Sequence, residues 1–191
     1  MIPRSTPLRS LHVLAISGSL RAASANTTVL KAAIRLAPEH LHILLYEGLG
    51  DLPHYNPDLD GEAPPAPVLD FRARLREADA VLICSPEYAH GVPGVLKNAL
   101  DWIVSSGEFM SKPVALVNAR PSSTFAQASL RETLTVMMAE IDPDASVTLP
   151  VTTNRLDEAS LLANPELFQT LKSAVEALGR AAEAHCAREA P

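Results

Sequence analysis

The chain has 191 residues, a formal net charge of −6, 47% hydrophobic residues and only 4% aromatic residues. This length suits one domain with a single core built mainly from aliphatic and alanine side chains. The acidic balance disfavours a broad nucleic-acid or anionic-membrane surface, since both partners are themselves negative. No apolar stretch reaches the length of a membrane span. Together with the acidic balance, this predicts neither a membrane nor a nucleic-acid partner.

The cysteines and the N-terminus favour a reducing compartment. Cys84 and Cys186 lie far apart, without CxxC or zinc-ligand spacing, and Cys84 follows an apolar run typical of a buried thiol. Residues 1–10 lack the apolar region of a signal peptide and are predicted to form a flexible tail. We expect one domain over residues 11–187, in the cytoplasm.

Short aliphatic runs alternate with helical patterns along the chain. Strands are predicted at residues 11–16, 42–47, 80–84, 113–117 and 147–151. Helices are predicted before Pro38, at 68–77, at 93–105, along the stripe Leu130, Leu134, Met137 and Ile141, and after the Asn164 cap. Residues 48–67, rich in glycine and proline, form a long loop, and Asp157 lies in a polar turn.

This alternation predicts an α/β fold with a five-stranded parallel sheet covered by helices on both faces. A flavodoxin-like three-layer sandwich of strand order 2-1-3-4-5 is the leading topology, and a six-strand Rossmann order is the second. In the first arrangement a ligand binds beyond the carboxyl ends of strands 1 and 3, with the loop of strand 4 alongside.

The loop after the first strand, residues 17–27, favours an anion. Gly18 permits a tight turn, hydroxyl groups and Asn26 supply neutral donors, and Arg21 adds a planar cation suited to phosphate. The alternative is a polar turn capped by Ser24 or Asn26. No GxxxxGK[ST] string is present, and Gly48-Leu49-Gly50 resembles GxGxxG only at its start.

The loop after the third strand, residues 85–94, suits a flat ligand. Pro86 stiffens the strand exit, and Gly91 and Gly94 are predicted to allow close approach of the main chain to an isoalloxazine ring. Glu87 and His90 form a possible acid–base pair, but a surface or interface histidine is the favoured interpretation, because a flavin would supply the redox chemistry itself.

Two strings carry a resemblance to a known family: GSLRxxSxN at residues 18–26 and PEYxxxxPGxLKNxLDW at residues 86–102. With the strand–helix alternation, the chain resembles the NADPH-dependent FMN reductase family from residue 11 to the last helix. That family includes chromate, quinone and azo-dye reductases. The resemblance implies bound FMN, NADPH or NADH as reductant, and a homodimer or homotetramer.

The resemblance also assigns residues to the cofactor. Ser19, Arg21, Ser24 and Asn26 would hold the FMN phosphate, with Thr27 close by. Contacts to the ribityl chain and ring would come from Pro86, Glu87, Tyr88 and the main chain at Ala89. Asn118 and Arg120, in the loop after the fourth strand, are further cofactor-binding candidates, although that loop departs from the family pattern. Lys97, Asn98, Asp101 and Trp102 would secure the third helix and a subunit interface.

One residue and one loop depart from the family pattern. Ala89 stands where relatives commonly have asparagine, and residues 118–123 replace a Ser-Pro-Gly-Gly-like loop. Three roles for Arg120 stay open: positive charge near the flavin, positive charge near the phosphate of a nicotinamide cofactor, or a solvated loop side chain.

The leading functional hypothesis is an oxidoreductase that passes electrons from NAD(P)H through FMN to a quinone, azo compound, metal oxyanion or free flavin, with ping-pong kinetics. The alternatives are an electron carrier without its own NAD(P)H reaction and a family member that has lost flavin. The histidines show no HExxH spacing, so no metal is expected, and no GxSxG elbow supports acyl transfer.

Overall fold

A computed structural model describes residues 9–151 and 156–189. Five parallel strands form one sheet, in the order β2-β1-β3-β4-β5. The strands are β1 (Leu11–Ser17), β2 (Leu41–Tyr46), β3 (Ala80–Cys84), β4 (Pro113–Val117) and β5 (Glu140–Ile141). This order confirms the predicted flavodoxin-like topology. Most of the predicted N-terminal tail, residues 1–8, lies outside the described residues.

Helices cover both faces of the sheet. They are α1 (Ala25–Leu36), α2 (Ala66–Glu77), α3 (Gly94–Asp101), α4 (Thr124–Val136), α5 (Glu158–Ala163) and α6 (Pro165–Glu189), with 3₁₀ turns at Gly48–Asp51 and Pro57–Leu59. One buried cluster joins the sheet to α1, α5 and α6, and the other joins it to α2, α3 and α4. Consecutive residues of β1 enter opposite clusters, with Val13 on one face of the sheet and Leu14 on the other, as burial on both faces requires. Within the described residues, no helix combines the length and apolar character needed to cross a bilayer.

The fifth strand differs from the predicted 147–151. The strand paired with β4 is β5, whereas Thr148 makes a single parallel bridge to Asn118. Between these pieces, the Asp142 carboxylate accepts a hydrogen bond from Ala145 N–H at 2.8 Å and forms a turn. The predicted position was wrong because this turn divides the sheet edge, and a two-residue strand has no periodic pattern.

Helix α4 ends before Ile141, which belongs to β5 rather than to the predicted helical stripe. Met138 has φ of +60°. Its N–H donates to Thr135 O at 2.9 Å, and the N–H of Ala139 donates to Leu134 O at 3.0 Å. These two bonds form a Schellman ending, where glycine is the usual residue. Because Met138 occupies this position instead of glycine, the sequence carried no signal that α4 ends here.

Two other helix boundaries also differ from the predictions. Helix α3 ends at Asp101, and residues 102–106 form turns instead of extending the helix to 105. The Asp157 carboxylate accepts from Ser160 N–H at 2.7 Å and caps α5, where the sequence predicts only a turn. Asn164 caps α6 as predicted, accepting from the N–H groups of Glu166 and Leu167 at 3.0 and 3.1 Å.

The long loop at 48–67 is held by polar contacts that are partly or fully buried. Asn98 Nδ2 and Trp102 Nε1 both donate to the Pro53 carbonyl, at 2.9 and 2.8 Å. Arg72, itself buried, donates to Asp60 at 2.7 Å and to the carbonyl of Trp102. Two residues of the second motif, Asn98 and Trp102, therefore tie this loop to α3.

Candidate cofactor site at the ends of three strands

A cleft of about 380 Å³ opens beyond the carboxyl ends of β1, β3 and β4, where the topology predicts a ligand. Three loops line it, one after each strand. The lining residues are Ser19, Arg21, Ser24, Ala25, Asn26, Ser85, Pro86, Glu87, Tyr88, Asn118, Ala119, Arg120, Ser122 and Ser123. The fold thus brings most of the predicted site residues into one cleft.

The first loop presents the N-terminus of α1 to the cleft. Ser24 is the N-cap, and its hydroxyl accepts from Thr27 N–H at 3.4 Å. The capping alternative raised by the sequence is therefore correct for Ser24. Capping also fixes the first turn of α1 against the cleft, and the partial positive charge of a helix N-terminus favours an anion there. Arg21 is exposed at the rim and adds a full charge.

Thr27 lies outside the cleft lining. Its hydroxyl forms a 2.8 Å hydrogen bond with the hydroxyl of Ser17, the last residue of β1. This bond joins the end of β1 to the first turn of α1. Thr27 therefore holds the loop in shape, and the structure does not place it among the residues facing the cleft.

The second loop contains a tight turn. The backbones of Tyr88 and Gly91 exchange hydrogen bonds at 3.1 and 2.9 Å. Ala89 and His90, between them, have φ of +48° and +61°. Two consecutive positive φ values are typical of a type I′ turn, which asparagine and glycine favour. Ala89 occupies the turn and does not line the cleft.

Exposed aromatic groups surround this turn. Tyr88 lines the cleft and is 57% exposed. The His90 ring stacks on Phe125 with centroids 4.2 Å apart and planes 14° from parallel. His90 therefore lies on the surface against α4, which agrees with the favoured interpretation of a surface histidine.

Glu87 makes a contact that has no pattern in the sequence. Its Oε2 accepts a hydrogen bond from the backbone N–H of Ala126, in the first turn of α4, at 2.8 Å. Ser123 occupies the N-cap position of α4 but its side chain makes no capping bond. Glu87 therefore stabilises this helix end from another loop, although it also lines the cleft.

The third loop is folded around the Asn118 side chain. Asn118 is buried, its Oδ1 accepts from Arg120 N–H at 3.0 Å, and its Nδ2 donates to the Ser123 carbonyl at 3.4 Å. These bonds shape a turn without glycine. They leave Arg120 half-buried in the cleft wall.

Gly18 is required for a close approach rather than for a special φ. A Cβ on Gly18 would lie 2.3 Å from Ser85 Oγ and 2.8 Å from Ser85 Cβ. The first and second loops therefore pack tightly where β1 and β3 end. Ser85 lines the cleft but is absent from the predicted set; its only sequence signal is that it directly follows a strand.

The electrostatics of the cleft suit a phosphate ester. Arg21 and Arg120 are the cations among its lining residues, and the one carboxylate there, Glu87, is engaged by a backbone N–H. Several hydroxyl groups and the α1 N-terminus add neutral donors. Within the described residues, no three His, Cys, Asp or Glu side chains lie close enough together to hold a metal.

Comparison with known proteins shows the family of this chain. The family model of the NADPH-dependent FMN reductases matches residues 11–153. An NAD(P)H-dependent FMN reductase of Pseudomonas aeruginosa is 35% identical over 173 residues, covering 88% of this chain and 93% of the relative. The chain belongs to the NADPH-dependent FMN reductase family.

Other relatives support the assignment of this chain to the FMN reductase family. A quinone reductase of Pseudomonas putida is 43% identical over 116 residues, which span 58% of this chain and 61% of that protein. The solved flavoenzyme NAD(P)H:(acceptor) oxidoreductase FerB of Paracoccus denitrificans superposes with a TM-score of 0.73, at 30% identity, over 92% of this chain and 98% of FerB. The predictions of a flavodoxin-like oxidoreductase with FMN and NAD(P)H are confirmed.

Proposed function

We propose that this family member holds FMN in the three-loop cleft and reduces a small acceptor with electrons from NAD(P)H in a ping-pong reaction. The observation that carries the proposal is the joint placement of the α1 N-terminus, Arg21 and Asn26 beside a loop that offers main-chain groups and Tyr88. One end of the cleft suits a dianion, and the other suits a flat, partly apolar ring.

In this proposal the first loop binds the phosphate. Ser19, Ser24 and Asn26 supply neutral donors around the α1 N-terminus, and Arg21 supplies charge. Thr27 acts through its bond to Ser17 by holding the same turn. Charge-assisted hydrogen bonds of this kind contribute about 1.5–3 kcal/mol each, so the phosphate is expected to dominate affinity.

The second and third loops orient the ring. Pro86 and Tyr88 form one wall of the cleft, and Asn118 lies in another. Glu87 and Ala89 contribute by fixing the loop, through the Ala126 bond and the tight turn. When bound, FMN would supply the redox chemistry, which is two-electron transfer between NAD(P)H and the acceptor. The chain's own residues bind, orient and partly shield the cofactor.

The experiment that tests this function uses the full chain freed of flavin. Titration with FMN and with riboflavin, followed by flavin fluorescence, should give FMN affinity at least about tenfold higher. Anaerobic NADPH and NADH should then bleach the reconstituted protein rapidly. Slow bleaching by both would favour an electron carrier, and failure to bind FMN would favour a member that has lost flavin.

A quinone is the first acceptor to test, because a relative 43% identical over 116 residues is named a quinone reductase. Azo compounds, metal oxyanions and free flavin complete the panel. Initial rates at several fixed quinone concentrations should give parallel double-reciprocal lines against NAD(P)H. Intersecting lines would contradict the ping-pong mechanism.

Arg120 is proposed to select the reductant. It lines the cleft beside Ser122, and its fixed charge suits a 2′-phosphate at the rim. Substitution with glutamine should raise KM for NADPH while leaving KM for NADH and FMN affinity nearly unchanged. A parallel loss of FMN affinity would instead place Arg120 at the flavin.

A homo-oligomer is also proposed. Val104, Met110, Val136 and Met138 are all more than half exposed around a shared groove between the ends of α3 and α4. Clustered apolar side chains of this kind are typical of protein interfaces. Light scattering should give a dimer or tetramer for the wild type and a smaller species for Val136→Lys. A monomeric wild type would refute this part of the proposal.

A further inference from the structure

Cys84 lies beneath the cleft, at the carboxyl end of β3, and is fully buried. Its carbonyl accepts from Gly18 N–H at 2.9 Å. Its thiol donates to Asn26 Oδ1 at 3.3 Å. Cys84 therefore contacts the first cleft loop through both its backbone and its side chain, and it ends the strand that leads to the second loop.

The contact with Asn26 has a chemical consequence. An amide side chain has an acceptor end and a donor end, and a phosphate needs the donor end. The thiol is a hydrogen-bond donor to the amide oxygen, which is turned inward toward β3. The NH₂ group is then the end available to the cleft that Asn26 lines.

The surroundings of Cys84 keep it protonated. Burial raises the pKa of this thiol above its ordinary value, so it remains a donor throughout the range in which enzymes usually work. Its burial also makes it a poor nucleophile and a poor redox sensor. The side chain is thus suited to orienting a neighbour rather than to chemistry of its own.

We propose that Cys84 is a positioning residue, which turns the amide nitrogen of Asn26 toward the phosphate of FMN. This inference rests on the proposed function of the cleft. It assigns to a buried core residue part of the discrimination between FMN and flavins that lack a phosphate.

The test compares Cys84→Ala with Cys84→Ser in the flavin-free full chain. Both variants lose the sulfur, but serine retains a donor. Flavin fluorescence gives Kd for FMN and for riboflavin. Cys84→Ala should weaken FMN binding about three- to tenfold relative to Cys84→Ser, the effect of one net hydrogen bond, with riboflavin affinity equal in the two variants. Cys84→Val, which fills the space without a donor, replaces Cys84→Ala if that variant does not fold.

A double-mutant cycle with Asn26→Leu completes the experiment. If Cys84 acts through Asn26, then in the Asn26→Leu background Cys84→Ala and Cys84→Ser should have the same ratio of Kd for FMN to Kd for riboflavin. With Asn26 present, an equal ratio in the alanine and serine variants, or an equal loss of affinity for both flavins, would show that Cys84 only packs and would overturn the inference. A wild type without preference for FMN would instead refute the proposed phosphate site.

Discussion

The carboxylate of Glu87 accepts a hydrogen bond from the backbone N–H of Ala126 at 2.8 Å, so a residue of the second cleft loop completes the first turn of α4. This contact links the ends of two neighbouring strands, β3 and β4. The contact also places the negative charge of Glu87, which lines the cleft, against the positive end of a helix.

Replacing Glu87 with alanine should therefore lower the free energy of unfolding by about 1 kcal/mol, the usual effect of losing a helix cap. Glu87→Gln keeps an acceptor and should lose less. Urea unfolding at neutral pH measures both. Glu132→Ala is the control, since Glu132 is exposed on the same helix and its loss should change stability by less than about 0.5 kcal/mol. Equal effects at Glu87 and Glu132 would contradict the capping role.

Gly18→Ala should be destabilising because its Cβ would lie 2.3 Å from Ser85 Oγ and 3.1 Å from the backbone Cα of Ser85. Ser85 is buried and cannot move away freely, so we expect a loss of about 1–3 kcal/mol, as in other overpacked sites. FMN affinity should fall with it, since the displaced loop carries Ser19 and Arg21.

The matched control is Gly94→Ala, at the start of α3, where an added Cβ meets no atom within 4 Å. It should be neutral or slightly stabilising. Thermal unfolding and FMN titration of the two variants provide the comparison. The Ser85→Gly change should restore part of the stability of Gly18→Ala, and no restoration would mean that the clash is not the cause.

The fold followed from the sequence because its signals are repeated and local. Each of β1, β3 and β4 is a nearly continuous apolar run, as burial on both faces requires. The fifth strand lacked that signal, since the Asp142 turn splits it. Met138 ended α4 in a conformation that only tertiary contacts and two backbone bonds specify.

In the site, too, local features could be predicted from the sequence and tertiary contacts could not. Motif spacing predicted that Ser19, Arg21 and Asn26 line the ligand cleft, and they do. The topology brings the loops after β1, β3 and β4 together at this cleft. Motif spacing did not distinguish side chains that face the cleft from those that support it. The Thr27 bond to Ser17 and the Glu87 bond to Ala126 join residues 10 and 39 positions apart, and neither pairing has a sequence pattern.

Ala89 is predicted to be a poor residue for its own conformation. Its φ of +48° lies in the left-handed region, which costs a residue with a Cβ about 1–2 kcal/mol. Ala89→Asn and Ala89→Gly should each stabilise the protein by about 0.5–1 kcal/mol, because asparagine and glycine tolerate positive φ better than alanine. Ala89→Val should have the opposite sign, because β-branched residues tolerate positive φ least. Calorimetry at neutral pH measures all three, and stabilisation by valine would contradict the assigned turn.

Asp60 and Arg72 form a buried pair at 2.7 Å, with side chains 6% and 8% exposed. Hydrogen bonding from Ser105 is the largest cause that holds the pKa of Asp60 below its ordinary value, and Arg72 adds to it. A depressed folded-state pKa means that the stabilisation is fully present above the unfolded pKa of about 3.9 and is lost as pH falls through the folded value.

Asp60→Asn should therefore destabilise the protein by about 3 kcal/mol at pH 7, because Arg72 stays buried without its counter-charge. Below pH 4 the difference between wild type and variant should shrink, since the unfolded wild type then binds a proton at Asp60 that the folded state resists. Asp70→Asn is the control: Asp70 pairs with Arg74 at 3.4 Å but is 52% exposed, so less than about 1 kcal/mol is expected. Denaturant unfolding from pH 7 to pH 3 measures both, and a pH-independent difference for Asp60→Asn would show that ionisation of Asp60 does not contribute.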